Sequence, residues 1–261
     1  MEKKKIKKPF FSIVTVVKND EYNIQKTIKS IISQSFRDFE YIVIDGKSND
    51  NTIYKINKYK NKIHQILSEK DRGIYFAMNK GIKLAKGTFL VFVNSGDLLT
   101  KNALRTVNYL YKKNDEIDFI FGTVKRHYTT GPIIKSGFNK FKLNYNFDFA
   151  TSHSTGFYIK LQSLKKVGTF NTNYKCSADY DLYYRVIIKN NLKGIATNKN
   201  DIIGVMKSGG YSSKIGFFKH LLEETNIRYN NGQNIFFIFF IFCNAMLKFF
   251  LKKLNKKILF N

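Results

Sequence analysis

Polar residues suited to ligand binding follow four apolar runs in the first hundred residues. Acids, amides or hydroxyl groups come directly after each run, in residues 15–19, 45–50, 68–73 and 94–97. Carboxylates in such positions suit hydrogen bonds to a ribose or a base. They also suit a hard divalent cation, Mg²⁺ or Mn²⁺, which prefers carboxylate and phosphate oxygens. Asp97 follows an entirely apolar run and is the best-placed acid for such an ion.

The apolar runs alternate with helical patterns. Runs typical of strands cover residues 12–17, 41–44, 63–67, 89–93 and 117–121, and apolar residues recur at helical spacing between them. This order predicts an α/β fold with a mostly parallel central sheet and helices on both faces. Ligands bind outside the carboxyl ends of strands in such a sheet, so we expect the four polar segments on one rim. After about residue 122 the alternation is lost, which predicts a region of mixed topology.

Composition narrows the class of protein. The 261 residues carry a formal net charge of +26, which indicates nucleic acid, an anionic membrane surface or a phosphate-bearing substrate as partner. A compositional bias is the alternative, because Lys, Asn, Ile, Phe and Tyr are all frequent. Basic residues are spread along the whole chain, which counts against a nucleic-acid-binding protein. Neither a dinucleotide fingerprint nor a P-loop motif occurs. Two cysteines, Cys176 and Cys243, are too few for a disulfide framework and favour a reducing compartment.

The C-terminal segment is apolar and then basic. Residues 235–251 are interrupted only by Asn244 and Lys248, and further lysines follow. As a helix this segment is about 25 Å long at ~1.5 Å per residue, shorter than the ~30 Å hydrocarbon core. Such a helix predicts an in-plane attachment to a membrane surface. A core helix packed on the rest of the chain, an oligomer contact and a true membrane span are the alternatives.

Taken together and in order, the motifs resemble those of bacterial family 2 glycosyltransferases. The resemblance is to the branch that builds capsules, exopolysaccharides and O-antigens, including colanic-acid-type enzymes. It extends from about residue 10 to 212 through residues 11–20, 45–50, 68–75, 77–81 and 94–97. It implies a GT-A fold and inverting transfer from a nucleoside-diphosphate sugar, with a UDP-sugar favoured. The implied acceptor is a hydroxyl of a lipid-linked or growing cell-surface polysaccharide.

The resemblance also implies roles for residues on the donor side. Thr15 and Asp45 stand where the family contacts the nucleotide base. Asp71 and Arg72 lie in a segment near the nucleotide and the sugar. The segment Asn94-Ser95-Gly96-Asp97 replaces the family's acidic motif, with Asn94 on the nucleotide-sugar and Asp97 on the metal ion.

Several positions depart from the family pattern, among them Asn94 at a frequently acidic position and Ala178 in place of a common Glu. Gly96 stands where many members have a second acid, and Phe76 stands where an Asp usually follows Gly-Ile-Tyr. Gly96 and Phe76 leave open a catalytically silent relative that only binds nucleotide. A basic polyanion-binding or nucleic-acid-binding protein is the alternative from a different class.

The resemblance aligns Asp179 with the catalytic base. A carboxylate within about 2.6–3.2 Å of an acceptor hydroxyl can take its proton. Asp181 is the second candidate and an acceptor-side residue, but Arg185 at i,i+4 spacing favours a structural ion pair for it. His153 lies in a segment that lines the acceptor side in the family, with an ordinary loop histidine as the alternative. The run Gly209-Gly210-Tyr211-Ser212 resembles a loop that closes over the donor.

These interpretations combine into one prediction. We expect a GT-A domain over residues 1–210, with a nucleotide-binding half at about 10–121 and an acceptor half at about 122–210. Helices over residues 211–261 would bind the inner-leaflet membrane surface or another copy of the chain. The expected protein is a metal-dependent cytoplasmic enzyme, peripheral on the cytoplasmic face of the inner membrane, without a nucleic-acid partner.

Overall fold

A seven-stranded sheet forms the centre of the fold. The computed structural model describes residues 8–128, 131–145, 154–207, 209 and 215–258. The strands are β1 (Phe11–Val17), β2 (Phe39–Asp45), β3 (Gln65–Ser68), β4 (Phe89–Phe92), β5 (Leu98–Leu99), β6 (Phe119–Phe121), β7 (Thr123–Tyr128), β8 (Gly131–Lys135), β9 (Phe157–Lys160), β10 (Gly194–Ala196) and β11 (Ile202–Met206). The central sheet has the order β10-β6-β9-β4-β1-β2-β3, and a second sheet has the order β5-β11-β7-β8.

Helices cover both faces of the central sheet. They are α1 (Ile24–Ile32), α2 (Thr52–Asn57), α3 (Ile74–Leu84), α4 (Ala103–Lys113), α5 (Lys140–Tyr145), α6 (Leu161–Val167), α7 (Ala178–Tyr184), α8 (Phe217–Asn230) and α9 (Ile235–Ile258). One core cluster contains side chains of α1, α2 and α4, and the other contains side chains of α3, α6, α7 and α8. The predicted arrangement, with a helical layer on each side of the sheet, is therefore confirmed.

Strand β1 is buried along its whole length. It pairs in parallel with β2 on one side and with β4 on the other. Successive side chains of a strand point to opposite faces. Accordingly, Val14 and Val16 join one core cluster, while Ile13 and Val17 join the other. The alternating pattern of strands and helices predicted from the first 121 residues is present.

The second half of the chain completes the same sheet. Strand β9 lies antiparallel between β4 and β6, and β10 pairs in parallel with β6. Both strands come after the expected boundary at residue 121, so the two halves share one sheet. The mixed topology expected after residue 122 takes the form of the second sheet, in which β11 pairs in parallel with β7 and antiparallel with β5.

Helix α9 is longer than the sequence pattern indicated. It has 24 residues, or about 36 Å at ~1.5 Å per residue, because the helix continues through the basic end. The apolar part, expected to be about 25 Å long, forms residues 235–251 of this longer helix. Among the described residues, this helix is long and apolar enough to cross a membrane over Ile235–Leu254, judged by length and composition. Only 11% of its apolar window is buried, which speaks against a core helix.

Helices α8 and α9 form an antiparallel hairpin. The ring of Phe217, at the start of α8, stacks on Phe249 of α9 with centroids 4.2 Å apart. The fully buried Arg228 of α8 donates hydrogen bonds to the carbonyl oxygens of Leu143 and Asn144. This arginine fixes the hairpin to α5 and thus to the main body of the fold.

Helix α3 approaches β1 closely at Gly81. A Cβ atom on this glycine would lie 2.4 Å from Cγ1 of Val14, inside the core. Helix propensity alone would favour alanine over glycine by about 1 kcal/mol. Glycine at this point is therefore explained by packing, and the close contact sets the position of α3 over the sheet.

We predict that Gly81→Ala lowers the free energy of unfolding by about 1–3 kcal/mol, because overpacking must displace Val14 or the helix. Urea denaturation measures the change. Lys83→Ala, on the exposed side of the same helix, is the control and should leave the midpoint nearly unchanged. A Gly81→Ala protein as stable as the wild type would contradict the close packing.

Candidate active site

The carboxyl ends of four neighbouring parallel strands form one rim. Strands β4, β1, β2 and β3 are adjacent in this order, and all three pairings are parallel. The polar segments 15–19, 45–50, 68–73 and 94–97 contain or follow their carboxyl ends, as the sequence predicted. From β1 the chain adds β2 and β3 on one side of the sheet and then returns to add β4 on the other side of β1. The gap between β1 and β4 is therefore a topological switch point, where open α/β sheets bind ligands.

Asp45 ends β2 and is completely buried. Its Oδ2 accepts hydrogen bonds from the Ser48 backbone N–H at 3.0 Å and from the Ser68 hydroxyl at 2.6 Å. The Ser48 hydroxyl donates to Oδ1. The carboxylate is therefore held in a fixed orientation by the loops that follow β2 and β3.

Asp71 lies beside this group and has a buried oxygen available. Lys80 of α3 places its Nζ 2.6 Å from Asp71 Oδ1 and 2.5 Å from Glu69 Oε1. Burial opposes the charged form of Lys80, but these two carboxylates outweigh it and raise the pKa of the lysine. Asp71 Oδ2 is buried without a hydrogen-bond partner in the described part of the chain. It lies close to the end of β2, 3.5 Å from the point where a Cβ atom on Gly46 would be. A buried oxygen of this kind is a candidate ligand contact.

Arg72 is exposed and lies over an aromatic ring. Its guanidinium carbon is 4.6 Å from the centre of the Phe76 ring, a cation–π geometry. Phe76 is one of the departures from the family pattern. In the structure its ring contacts the side chain of the arginine that follows Asp71.

Asn94 and Asp97 contact two segments of the second half of the chain, the turn at residues 154–155 and the residue after β11. Asp97 Oδ2 accepts from the Thr155 hydroxyl at 2.7 Å, and its Oδ1 accepts from the Lys207 N–H at 3.1 Å. Asn94 Nδ2 donates to the Ser154 hydroxyl at 3.2 Å. Asn94 Oδ1 is buried and has no hydrogen-bond partner among the residues that the structure describes.

The oxygens of this segment are compatible with a divalent cation. Mg²⁺ usually takes one or two carboxylates and completes its shell with water and substrate phosphates. Asp97 supplies a carboxylate, and Asn94 supplies the unpartnered amide oxygen. Within the described ranges, no group of three or more His, Cys, Asp or Glu residues is arranged for a metal ion. The protein ligands would therefore be few, as is usual for a magnesium ion shared with a diphosphate.

Glycine at position 96 has a local reason. Its φ of +96° is disfavoured for other residues, and a Cβ there would lie 3.4 Å from Cδ of Lys207. The carboxylate of Asp20, from the loop after β1, lies 3.9 Å from the same Cβ position and accepts a hydrogen bond from Ser95. A second acid thus lies next to the segment, although it comes from elsewhere in the sequence.

Asp179 is in the first turn of α7, next to the start of α3. Its Oδ1 accepts from the Tyr180 backbone N–H at 3.0 Å and from the Tyr75 hydroxyl at 3.4 Å. Burial, together with the charge of Asp179, raises the pKa of Tyr75, which therefore stays protonated and donates. Tyr75 follows Asp71 by four residues, so the first turn of α3 connects Asp71 to the candidate base.

Two of the expected site residues are used elsewhere. Thr15 is fully buried, donates to the Val93 carbonyl oxygen at 2.8 Å and accepts from Tyr41 at 3.1 Å. Asp181 is 3% exposed and forms the expected ion pair with Arg185 at 2.9 Å. The structure brings neither side chain to the rim, because hydrogen bonds in the core occupy both. His153 and residues 210–212 lie outside the described residues.

Sequence reasoning missed the acids of α8. Burial, and after it the charge of Asp179, raise the pKa of Glu224 to about 8, although Arg228 acts in the opposite direction. Its neighbour Glu223 binds the segment in front of α7. One signal was present in the sequence, since these two are the only acids after Asp201 in a strongly basic segment.

The sheet, the switch point and the acidic rim define a protein of the GT-A fold. A family model described as Glycosyl transferase family 2 matches residues 12–167, and the chain belongs to this family. The family and the fold expected from the motifs are both confirmed.

Related proteins agree with this assignment. A PGL/p-HBAD biosynthesis glycosyltransferase of Mycobacterium bovis (strain BCG / Pasteur 1173P2) is 28% identical over 184 residues, which cover 68% of this chain and 69% of that protein. WfgD of Escherichia coli, a UDP-Glc:alpha-D-GlcNAc-diphosphoundecaprenol beta-1,3-glucosyltransferase, is 26% identical over 217 residues, or 74% of this chain and 85% of WfgD. The structure of S. aureus TarS 1-349 in complex with UDP-GlcNAc matches with a TM-score of 0.70 at 18% identity, covering 91% of this chain and 71% of that TarS 1-349 chain. At this identity the structural match shows the fold.

The raised pKa of Glu224 predicts a pH-dependent stability. In the unfolded chain the group titrates near the ordinary value of 4.5, so the folded protein holds the proton more tightly between pH 4.5 and 8. The stabilisation is complete below pH 4.5 and is lost as the pH rises through 8.

We therefore expect Glu224→Gln, which is neutral throughout, to lose less stability than the wild type between pH 5 and 9. The difference should be at least about 1.4 kcal/mol, the equivalent of one pKa unit. Urea titrations at a series of pH values provide the measurement. Glu116→Gln, at an exposed glutamate paired with Lys193, should follow the wild-type curve. Parallel curves for Glu224→Gln and the wild type would contradict the raised pKa.

Proposed function

We propose that the protein is an inverting, metal-dependent glycosyltransferase. It transfers a hexosyl or N-acetylhexosaminyl group from a UDP-sugar to a hydroxyl of a lipid-linked or growing cell-surface polysaccharide. One observation carries the proposal. Two buried oxygens without partners, Asp71 Oδ2 and Asn94 Oδ1, lie in rim segments of one sheet, and the candidate base Asp179 contacts Tyr75, four residues after Asp71.

The donor side follows from the buried acids and the nearby cations. Asp45 and Asp71 would accept hydrogen bonds from the base and the ribose, since both are oriented carboxylates in the rim segments 45–50 and 68–73. The side chain of Lys18 lies 3.3 Å from a Cβ position on Gly46, and Lys207 lies near Gly96. These lysines and Arg72 would bind the diphosphate. The UDP-GlcNAc bound to TarS and the UDP-Glc in the name of WfgD support a UDP-sugar.

The chemistry requires a base and an in-line approach. Asp179 takes the proton of the acceptor hydroxyl as its oxygen attacks the anomeric carbon from the side opposite the diphosphate, so the configuration inverts. The Tyr75 hydroxyl donates to the same carboxylate and orients it. Asp97 and Asn94 would hold Mg²⁺ or Mn²⁺, which supplies charge compensation for the leaving diphosphate.

The hairpin of α8 and α9 supports attachment to a membrane surface. Phe236, Phe239 and Phe240 are 67–81% exposed, and Lys248, Lys252 and Lys253 follow on the same helix. Exposed aromatic residues insert at the headgroup boundary, and lysines are attracted to anionic lipids. Because α9 runs alongside α8, which binds the main body of the fold, the hairpin favours an in-plane position over a span. We place the protein on the cytoplasmic face of the inner membrane, where a lipid-linked acceptor such as that in the name of WfgD would be reached.

Neither alternative from the sequence is favoured. Family membership argues against a nucleic-acid-binding protein. Local packing accounts for Gly96 and Phe76, so these departures do not require a catalytically silent relative.

Transfer assays with a panel of nucleotide sugars and a lipid-linked oligosaccharide acceptor test the proposal through the UDP released. We expect Asp179→Asn to lower kcat by about 10²–10⁴-fold, because the base is lost, with little change in the donor KM. Asp97→Ala should remove the dependence on added Mg²⁺ or Mn²⁺ together with most of the activity. Asp115→Asn, at an exposed loop position, is the control and should be fully active.

The outcomes separate the assigned roles. A fully active Asp179→Asn enzyme would remove the base assignment. Activity that survives both Asp97→Ala and EDTA would remove the metal. A wild-type protein that releases UDP with none of the donors and acceptors would overturn the function itself.

Flotation with vesicles rich in phosphatidylglycerol tests the membrane surface. The variant with Phe236→Ser, Phe239→Ser and Phe240→Ser should bind at least about tenfold less tightly, since each exposed phenyl ring contributes apolar burial. Tyr54→Ser, at an exposed tyrosine of α2, should bind like the wild type. Equal flotation of the triple variant and the wild type would disprove the assignment. A wild-type protein that is dimeric, with a triple variant that is monomeric, would indicate an oligomer contact instead.

A further inference from the structure

Helix α8 holds the segment that leads into α7. The Glu223 carboxylate accepts hydrogen bonds from three consecutive backbone N–H groups: Lys175 at 2.8 Å, Cys176 at 2.9 Å and Ser177 at 3.1 Å. The Cys176 thiol donates to the same carboxylate at 3.0 Å. One side chain thus binds a whole turn of backbone that lies more than forty residues earlier in the sequence.

The contact lies directly before α7, a helix whose own N-cap residue makes no side-chain capping bond. Ser177 precedes α7, but its hydroxyl lies 3.3 Å from Nδ1 of His220 on α8 instead of capping its own helix. Burial would raise the pKa of Glu223, but its hydrogen bonds outweigh burial and hold the pKa below the ordinary value. Glu223 is therefore ionised at neutral pH. A negative charge at a helix N-terminus also interacts favourably with the helix dipole.

We propose that Glu223 is a positioning residue for Asp179, and that α8 is thereby part of the catalytic centre. The inference rests on the proposed role of Asp179 as the base. Asp179 comes two residues after Ser177, so the three N–H contacts fix the backbone immediately before it. Tyr75 binds the Asp179 carboxylate from α3. Glu223 determines where the base is placed, and Tyr75 determines how its carboxylate is turned.

A Glu223 that only stabilises the fold would affect the kinetics differently from a Glu223 that positions Asp179. If Glu223 only stabilised the fold, its loss would reduce the amount of folded enzyme and leave the kinetics of the folded fraction unchanged. Positioning predicts a lower kcat with an almost unchanged donor KM, because the proposed donor contacts at the rim come from the carboxyl ends of β1 to β4 and the segments that follow them, whereas Glu223 binds residues 175–177. A displacement of about 1 Å at a catalytic group can cost about 100-fold in rate.

Glu223→Gln is the informative variant. The amide keeps one acceptor oxygen, so it fits the same space but cannot accept all four hydrogen bonds. We expect kcat to fall about 10- to 100-fold with a donor KM within about twofold of the wild type. Hydrogen exchange at the amides of residues 175–177 should become at least about tenfold faster. Glu223→Asp, which keeps the charge, should recover part of the rate, and Glu116→Gln should behave like the wild type.

A double-mutant cycle shows whether Glu223 acts through the base. In an Asp179→Asn background, adding Glu223→Gln should change kcat by less than about twofold, because the group that it positions is already gone. A wild-type kcat in Glu223→Gln would overturn the inference, and so would additive losses in the double variant. Both results would leave the proposed function intact as long as the wild-type protein transfers sugar. The failure of the proposed function would appear separately, as a wild-type protein that transfers no sugar.

Discussion

The site depends on the complete burial of β1. All seven residues of this strand are enclosed, with one face of the sheet packed on α1, α2 and α4 and the other on α3, α6, α7 and α8. Parallel pairing on both sides then aligns the carboxyl ends of four strands. Because hydrophobic burial dominates the folding free energy, this packing supplies the stability with which buried acids such as Asp45 and Asp71 can be tolerated at the rim.

The acids at the rim are tolerated for different physical reasons. Asp45 is satisfied by two serine side chains and a backbone N–H, and Asp71 is paired with Lys80. Among the described residues, Asp71 Oδ2 and Asn94 Oδ1 are buried oxygens of the rim that lack a hydrogen-bond partner, and they are informative in a chain of +26 net charge. Glu224 follows a third route. Burial favours its neutral form, so an acid is accommodated without a full charge beside Asp179.

Local patterns predicted the part of the fold that local patterns determine. Apart from the short strand β5, the strands and helices of the first 121 residues follow from periodicity, as do the polar rim and, from i,i+4 spacing, the Asp181–Arg185 pair. The insertion of β9 between β4 and β6 depends on pairing between segments that are distant in the sequence. The hydropathy pattern does not indicate which strands pair or in which register. The use of Thr15 inside the sheet depends on Tyr41 and Val93, and the contact of Glu223 with residues 175–177 depends on how the hairpin packs. None of these contacts leaves a periodic signal in the sequence.

The hairpin has a geometric consequence for substrate choice. Helix α8 contacts the segment before Asp179 on one side and α9 on the other, through Phe217 and Phe249. If α9 lies in the headgroup region, the base is held at a fixed height above the lipid surface by rigid helices. The hairpin would then set the distance between the base and the lipid surface. It would select acceptors by the number of sugar units between the lipid phosphate and the free hydroxyl, in addition to the identity of the terminal sugar.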